Sequence, residues 1–320
     1  MKVNWRKLLF VIGTIGLLAA VIVLAGCSGN EKETAANEGS DEDCVACHND
    51  SDQIVFAKDI QWETSGHGEG TSYLRGTSAS CAGCHAGVGF TEMIAAGITN
   101  PEDVQEGQTN PTPQNCRTCH EIHTTYTNAD WNLTTTTPVT LFASGQTYDG
   151  GKGNLCANCH QPRREIEAEN GMVNWSSTHY GPHHGPQSAM LLGIGGAGVT
   201  GKPAAHYSMV EDTCVTCHLV NQVHTMAPNV EACTACHSGA EDFDINGLQT
   251  EVDGMVAELG DLLEAKGLFE DGEPIVGEYP EDQAAALWNY IYIVNEDGSH
   301  GVHNPSYTKA MLEYSIEALQ

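Results

Sequence analysis

Apolar positions are spread very unevenly along this chain. Residues 8–25 form an almost unbroken apolar run behind Lys2, Arg6 and Lys7. A cationic start followed by such a run predicts an export leader over residues 1–26. An uncleaved anchor helix is the rival reading, because 18 apolar residues stand at the threshold for spanning a bilayer. Residues 28–43 carry no apolar periodicity and are polar and acidic, which predicts a flexible tether. At the far end, Val252, Val256, Leu259 and Leu263 recur at helical spacing within residues 248–266, with Gly267 as a stop. Residues 284–294 and 306–319 predict two more helices, so residues 248–320 read as a helical cap. Residues 44–240 show no sustained period. Within them the Thr134–Thr137 run followed by Val139, Leu141 and Phe142 predicts an extended or hairpin piece. The expected class is mostly α with extensive irregular loops, residues 44–320 forming one body.

Composition sharpens this. The chain has 35 Gly, and Phe, Trp and Tyr together make only 7 %. Side chains alone would build a poor core from that. Thirteen Cys and fifteen His suggest that something else fills the interior. The formal charge is -29, and three of the thirteen basic residues lie in the leader. Such a surface repels nucleic acid and anionic lipid headgroups. It suits a basic partner, cationic metal ions or simple solubility.

Twelve of the cysteines fall into Cys-x-x-Cys-His. The copies are Cys44-Cys47-His48, Cys81-Cys84-His85, Cys116-Cys119-His120, Cys156-Cys159-His160, Cys214-Cys217-His218 and Cys233-Cys236-His237. This is the attachment signature of c-type haem. Two thiols three positions apart on a turn of helix reach two vinyl groups on one porphyrin edge, and the next histidine supplies the proximal nitrogen to iron. A single copy could be a zinc half-site or a redox dithiol. Zinc would want motifs in pairs, and disulfides would leave the invariable histidine unexplained. Six haems c therefore replace side chains as the expected core. The glycine-rich residues 193–201 then read as backbone lying close against haem, since they lack the lysine of a nucleotide loop.

Nine histidines stand outside the motifs, enough to close six irons. The preferred distal set is His67, His123, His179, His206, His224 and His303. His67 and His179 each follow an upstream tryptophan, His206 precedes motif five, and Pro305 after His303 can start the final helix. His123 follows His120 by three residues, so the two cannot close one iron together. His183 and His184 are substitutes for His179. Methionine, for example Met190, Met209 or Met226, is a further ligand type that nine free histidines make unnecessary.

Two resemblances follow from these residues. Leu24-Ala25-Gly26-Cys27 resembles the lipobox of bacterial lipoproteins, which implies lipidation of Cys27, the one cysteine outside the motifs, and residues 27–43 as the tether behind it. The six motifs, the distal-type histidines and the lipobox together resemble the periplasmic and outer-surface multihaem c-type cytochromes of bacteria. The segment from His300 to Leu319 is similar to the C-terminal haem-ligand helix of the ammonia-forming nitrite reductase superfamily. The resemblance implies a multihaem cytochrome c fold organised around stacked haems, electron transport, an outer-membrane lipoprotein, and redox partner proteins that include other multihaem cytochromes. It also admits a homo-oligomer or a conducting filament. The departure is in the motifs: nitrite reductases of that superfamily carry one catalytic motif ending in Lys, whereas all six here end in His. No catalytic residue is expected, and a reductase of nitrite, hydroxylamine or a sulfur oxyanion is the alternative.

Overall fold

The computed structural model describes residues 53–183 and 185–320. The leader, Cys27, the tether, motif one (Cys44, Cys47 and His48) and His184 lie outside the described residues. Eleven short to medium α-helices are joined by 3-10 turns and long irregular loops, with three two-stranded β-ladders among the described residues. The helices are α1 (Gln53–Glu63), α2 (Ala79–His85), α3 (Gly87–Ala95), α4 (Cys116–Cys119), α5 (Asn154–Ala157) and α6 (Gln187–Leu192). They continue as α7 (Ala205–Met209), α8 (Cys214–His218), α9 (Leu248–Ala265), α10 (Glu281–Ile291) and α11 (Pro305–Leu319). The result is a mostly helical, loop-rich fold, as the sequence implies. No helix of the described residues is long and apolar enough to cross a membrane.

The main side-chain core is C-terminal. Helices α9, α10 and α11 bury Val252, Leu259, Leu263, Leu287, Trp288, Met311 and Leu312 against one another. Asn304 caps α11, accepting from Tyr307 N at 3.3 Å, with Pro305 at the first helical position. Helix α10 ends at Ile291 and passes into a π-helical turn, Tyr292–Asp297, that Gly298 closes at a φ of 63°. The predicted helices at 248–266, 284–294 and 306–319 thus correspond to α9, α10 and α11. Their apolar face is completed from upstream: strand β3 (Met172–Trp175) pairs antiparallel with β6 (Gly277–Pro280), and Val173 and Trp175 join the core. The predicted hairpin is present but short, β1 (Val139–Thr140) against β2 (Thr147–Tyr148). It belongs to a second, smaller core with Leu141, Ala157, Ala189, Leu191 and Ala204. A third ladder, β4 (Phe269–Glu270) with β5 (Glu273–Pro274), is a hairpin between α9 and α10.

The glycine-rich segment departs from expectation. Residues 193–201 lie against aromatic side chains of the C-terminal helices. Trp288 Nε1 donates to Gly195 O at 2.9 Å, Gly196 N donates to the Tyr307 hydroxyl at 2.9 Å, and a Cβ at Gly198 would enter the Tyr314 ring. The small residues are required by Tyr307, Tyr314 and Met311.

Candidate functional site

The five described motifs sit on helical turns. Motif two lies on α2 and motif five on α8, Cys116 and Cys119 on α4, Cys156 on α5, and Cys233 within the 3-10 helix Val230–Ala235. In motifs three, four and six the histidine N–H closes a turn onto the first cysteine's carbonyl, at 2.8, 2.9 and 2.8 Å. Asn115 starts α4 with a capping box shared with Thr118, and Asn229 caps the 3-10 helix of motif six.

Every described motif histidine faces one histidine from elsewhere in the chain. His160 and His67 have ring centroids 6.1 Å apart, and His85 and His183 are 6.2 Å apart. His120 with His224, His237 with His206, and His218 with His303 each stand at 6.3 Å. Aromatic pairs in general spread over about 4.5–7 Å, so five values within 6.1–6.3 Å call for a common cause. A metal held axially between two imidazoles supplies one. With each nitrogen about 2 Å from the metal and each ring centre about 1.1 Å beyond it, the centroids stand about 6.2 Å apart.

Hydrogen bonds orient the rings consistently. The Nδ1 atoms of His120, His218, His206 and His224 lie 2.8 Å from the carbonyls of Trp131, Met226, Val302 and Gln222 respectively. His160 Nδ1 is 3.1 Å from Gln187 Oε1, and His303 Nδ1 is 2.7 Å from Asp297 Oδ1. An Nδ1–H spent on an oxygen leaves the Nε2 lone pair for a metal. Burial, with His160 nearby, pushes the His67 pKa down to about 4, and burial also lowers His224. The lowered pKa favours the neutral ring, the form in which an imidazole ligates. His183 is held in the left-handed region at a φ of 71°, a conformation of a non-glycine residue that tertiary packing must sustain.

Most of the thiols with a shifted pKa are shifted away from the thiolate. None of the ten described motif cysteines forms a disulfide. Burial pushes the Cys119 thiol up to about 11 and raises Cys116, Cys217 and Cys233, whereas a reactive dithiol needs a lowered pKa. Cys214 is the exception, drawn down by its hydrogen bond with Cys156. Among the described residues no three His, Cys, Asp or Glu side chains gather as a zinc or other metal cluster would. The apolar surface fits a large flat ligand. Ile54, Phe56 and Met209 are exposed at 64, 66 and 79 %, and Met209 shares its helix with His206. Beside motif six lies a cavity of about 440 Å³ lined by Val220, Val223, Pro228, Val230 and Phe243 among others. Facing imidazoles and paired thiols on helical turns are a donor set that haem c would fit.

Four of the six preferred distal histidines, His67, His206, His224 and His303, face motif histidines. His179 does not. It is exposed, with its backbone N–H on Ser177 Oγ at 3.1 Å, and His183 faces His85 in its stead. The reason is local: the turn from Tyr180 through Pro182 carries His183 inward, whereas His179 is on its outer side. His123 stacks on Tyr126 at 5.6 Å, in a loop gathered by Asp130, which accepts from the backbone N–H groups of His123, Thr125 and Tyr126 at 2.8, 2.7 and 3.1 Å. The residues that orient the rings, above all Gln187 and Asp297, carry no motif. The Asp297-Gly298-Ser299 run ahead of His300 is a turn-type sequence that could have pointed to Asp297.

The motifs also meet one another. Cys156 is within hydrogen-bonding range of Cys214, and Cys159 of Cys84. Cys84 Sγ lies 3.9 Å from Asn158 O, and Tyr148 bridges by its hydroxyl to Thr213 Oγ1 at 2.8 Å and Cys214 Sγ at 3.6 Å. Motif four therefore touches motifs two and five.

No protein-family model and no curated protein matches the chain. Among solved structures, the outer cell wall cytochrome OcwA superposes with a TM-score of 0.51 and 23 % identity, over 81 % of this chain and 50 % of that one. The chain thus spans about half the length of the solved structure that it matches. At that identity the likeness is one of fold: this mostly helical, loop-rich chain has a fold of the kind seen in an outer-surface cytochrome.

Proposed function

We propose that this protein is a hexahaem c-type cytochrome that carries electrons outside the cytoplasm and does not turn over a substrate. The single observation that carries the reading is the set of five facing histidine pairs at one common separation. The haem-attaching thiols are Cys44 and Cys47, Cys81 and Cys84, Cys116 and Cys119, Cys156 and Cys159, Cys214 and Cys217, and Cys233 and Cys236. The axial pairs are His85 with His183, His120 with His224, His160 with His67, His218 with His303, and His237 with His206. For His48 of motif one the proposed partner is His123, one of the two members of the preferred set that face none of the described motif histidines, the other being the exposed His179. Bound haem supplies a one-electron couple at iron, of low potential under bis-histidine ligation.

The chain's own residues do the rest. The paired imidazoles would hold each haem iron from both sides, which would leave the five described motifs no place for nitrite or another substrate. The Nδ1 partners of His120, His160, His206, His218, His224 and His303 hold those six rings in one orientation, which would keep them in place as ligands in both oxidation states. Contact of motif four with motifs two and five supports a stacked, closely spaced haem chain, through which an electron enters at one exposed end and leaves at another. Export and the likeness to an outer cell wall cytochrome support an outer-surface location, with Cys27 lipidated as the membrane anchor and redox proteins as partners.

The test is a haem count with electron paramagnetic resonance of the oxidised, purified protein. Six haems per chain and only low-spin ferric signals are expected. A high-spin haem would turn the assignment toward a reductase, and a colourless protein from cells competent in cytochrome c maturation would end it.

A further inference from the structure

His303 differs from the five other facing histidines with a described Nδ1 partner in what holds its back. The described Nδ1 partners of His120, His218, His206 and His224 are neutral carbonyls, and that of His160 is a neutral amide. His303 Nδ1 instead meets the Asp297 carboxylate at 2.7 Å, and the Asp297 side chain is only 1 % exposed. The far oxygen, Oδ2, accepts from Ser299 Oγ at 2.5 Å and Ser299 N at 3.2 Å. These contacts fix the carboxylate, and His303 N in turn donates to Ser299 Oγ at 3.2 Å. The π-helical turn Tyr292–Asp297 and Gly298 aim Asp297 at the ring. Gln187 extends the network. Its Nε2 donates to Glu296 O at 2.9 Å and Asp297 O at 3.3 Å, while its Oε1 lies 3.1 Å from His160 Nδ1.

A carboxylate on the far nitrogen of a ligating imidazole pulls the Nδ1 proton toward itself and leaves more electron density on Nε2. A more basic axial ligand stabilises the higher oxidation state of its metal. We propose that Asp297 is a positioning residue that makes the haem of motif five, held by His218 and His303, lower in potential than its ligand types alone would set. This inference rests on the haem assignment above. It makes motif five, whose Cys214 touches motif four, a graded step in the electron path rather than an equivalent site.

The exposed pair of His300 Nδ1 and Asp253 Oδ1, at 2.6 Å, supplies an internal control because neither residue faces a motif histidine. Spectroelectrochemical titration of the holoprotein and of Asp297→Asn, Asp253→Asn and Ser299→Ala tests the proposal. Asp297→Asn keeps the shape and removes the charge, so one of the components should become easier to reduce by about tenfold or more in its equilibrium, about 59 mV for one electron. The rest should stay in place. Asp253→Asn changes net charge equally and should move none. Ser299→Ala removes a donor from the carboxylate, strengthens its pull on His303 and should move the same component the opposite way. If Asp297→Asn retains all haems yet shifts nothing, or if Asp253→Asn shifts as much, the role of Asp297 is wrong. If Asp297→Asn disturbs haem loading, the sign of the Ser299→Ala shift decides. Fewer than six haems in the unmodified protein would instead overturn the underlying assignment.

Discussion

At the residue scale the deciding quantity is where each imidazole is held, more than how many there are. Sequence could count nine spare histidines and could name His67, His206, His224 and His303 from their surroundings. It could not separate His179 from His183, because both stand in short loops and only the path of the intervening turn exposes one and turns the other inward. The ring planes add a readout. His85 with His183 cross at 65° and His206 with His237 at 76°, while His120 with His224 and His218 with His303 cross at 33° and 37°. Crossed imidazoles donate into different iron d orbitals and leave them nearly equal in energy, which gives a strongly anisotropic low-spin signal. Nearly aligned rings split those orbitals and give a more rhombic one. His183→Ala should therefore delete one strongly anisotropic signal and create a high-spin one, whereas His179→Ala should leave the spectrum unchanged. The reverse outcome would return the ligand role to His179.

At the scale of elements, the C-terminal helices were legible because their apolar residues recur with one period and carry recognisable caps and stops. The glycine-rich segment was misread for a physical reason: glycine reports only that something comes close, not what. Here the close neighbours are Tyr307, Tyr314 and Met311. Asn289 on α10 ties this segment down. Its Oδ1 accepts from Ala197 N at 2.7 Å, and its Nδ2 donates to Ala197 O and Ser315 Oγ, both at 3.0 Å. Asn289 is fully buried, so replacing it leaves Ala197 N–H and C=O without partners and away from water. Each orphaned group costs about 1–3 kcal/mol, and Asn289→Leu should lose about 2–4 kcal/mol overall. The measurement is the thermal midpoint of the holoprotein. An unchanged midpoint would mean that the segment re-pairs elsewhere and is not pinned by α10. The consequence reaches the site, because Asn304 next to His303 also donates to Lys202 O and Met190 O, both at 3.0 Å.

At the scale of the whole molecule, the six motifs were legible in the sequence, but the pairing of histidines across the chain was hidden. His67, upstream of motif two, faces motif four, and His303, beyond all the motifs, faces motif five. Such long-range closure leaves no local periodicity to read. Charge, by contrast, is a property of the whole sequence and was legible at once. A formal charge of -29 gives the chain a negative field, which attracts cations and repels anions over distances set by ionic strength and, on the proposed function, would surround the haems. The Debye length falls from about 30 Å at 0.01 M salt to about 8 Å at 0.15 M, so most of that steering is screened at physiological strength. Reduction of the oxidised protein by a small cationic one-electron donor should then be faster at low salt than by an anionic donor of similar potential. The gap should narrow steadily as salt is added. Stopped-flow rates across that range measure it. Equal rates and no salt dependence would show that the haem through which electrons enter lies away from the acidic surface, and would point to a local neutral or basic patch as the docking face.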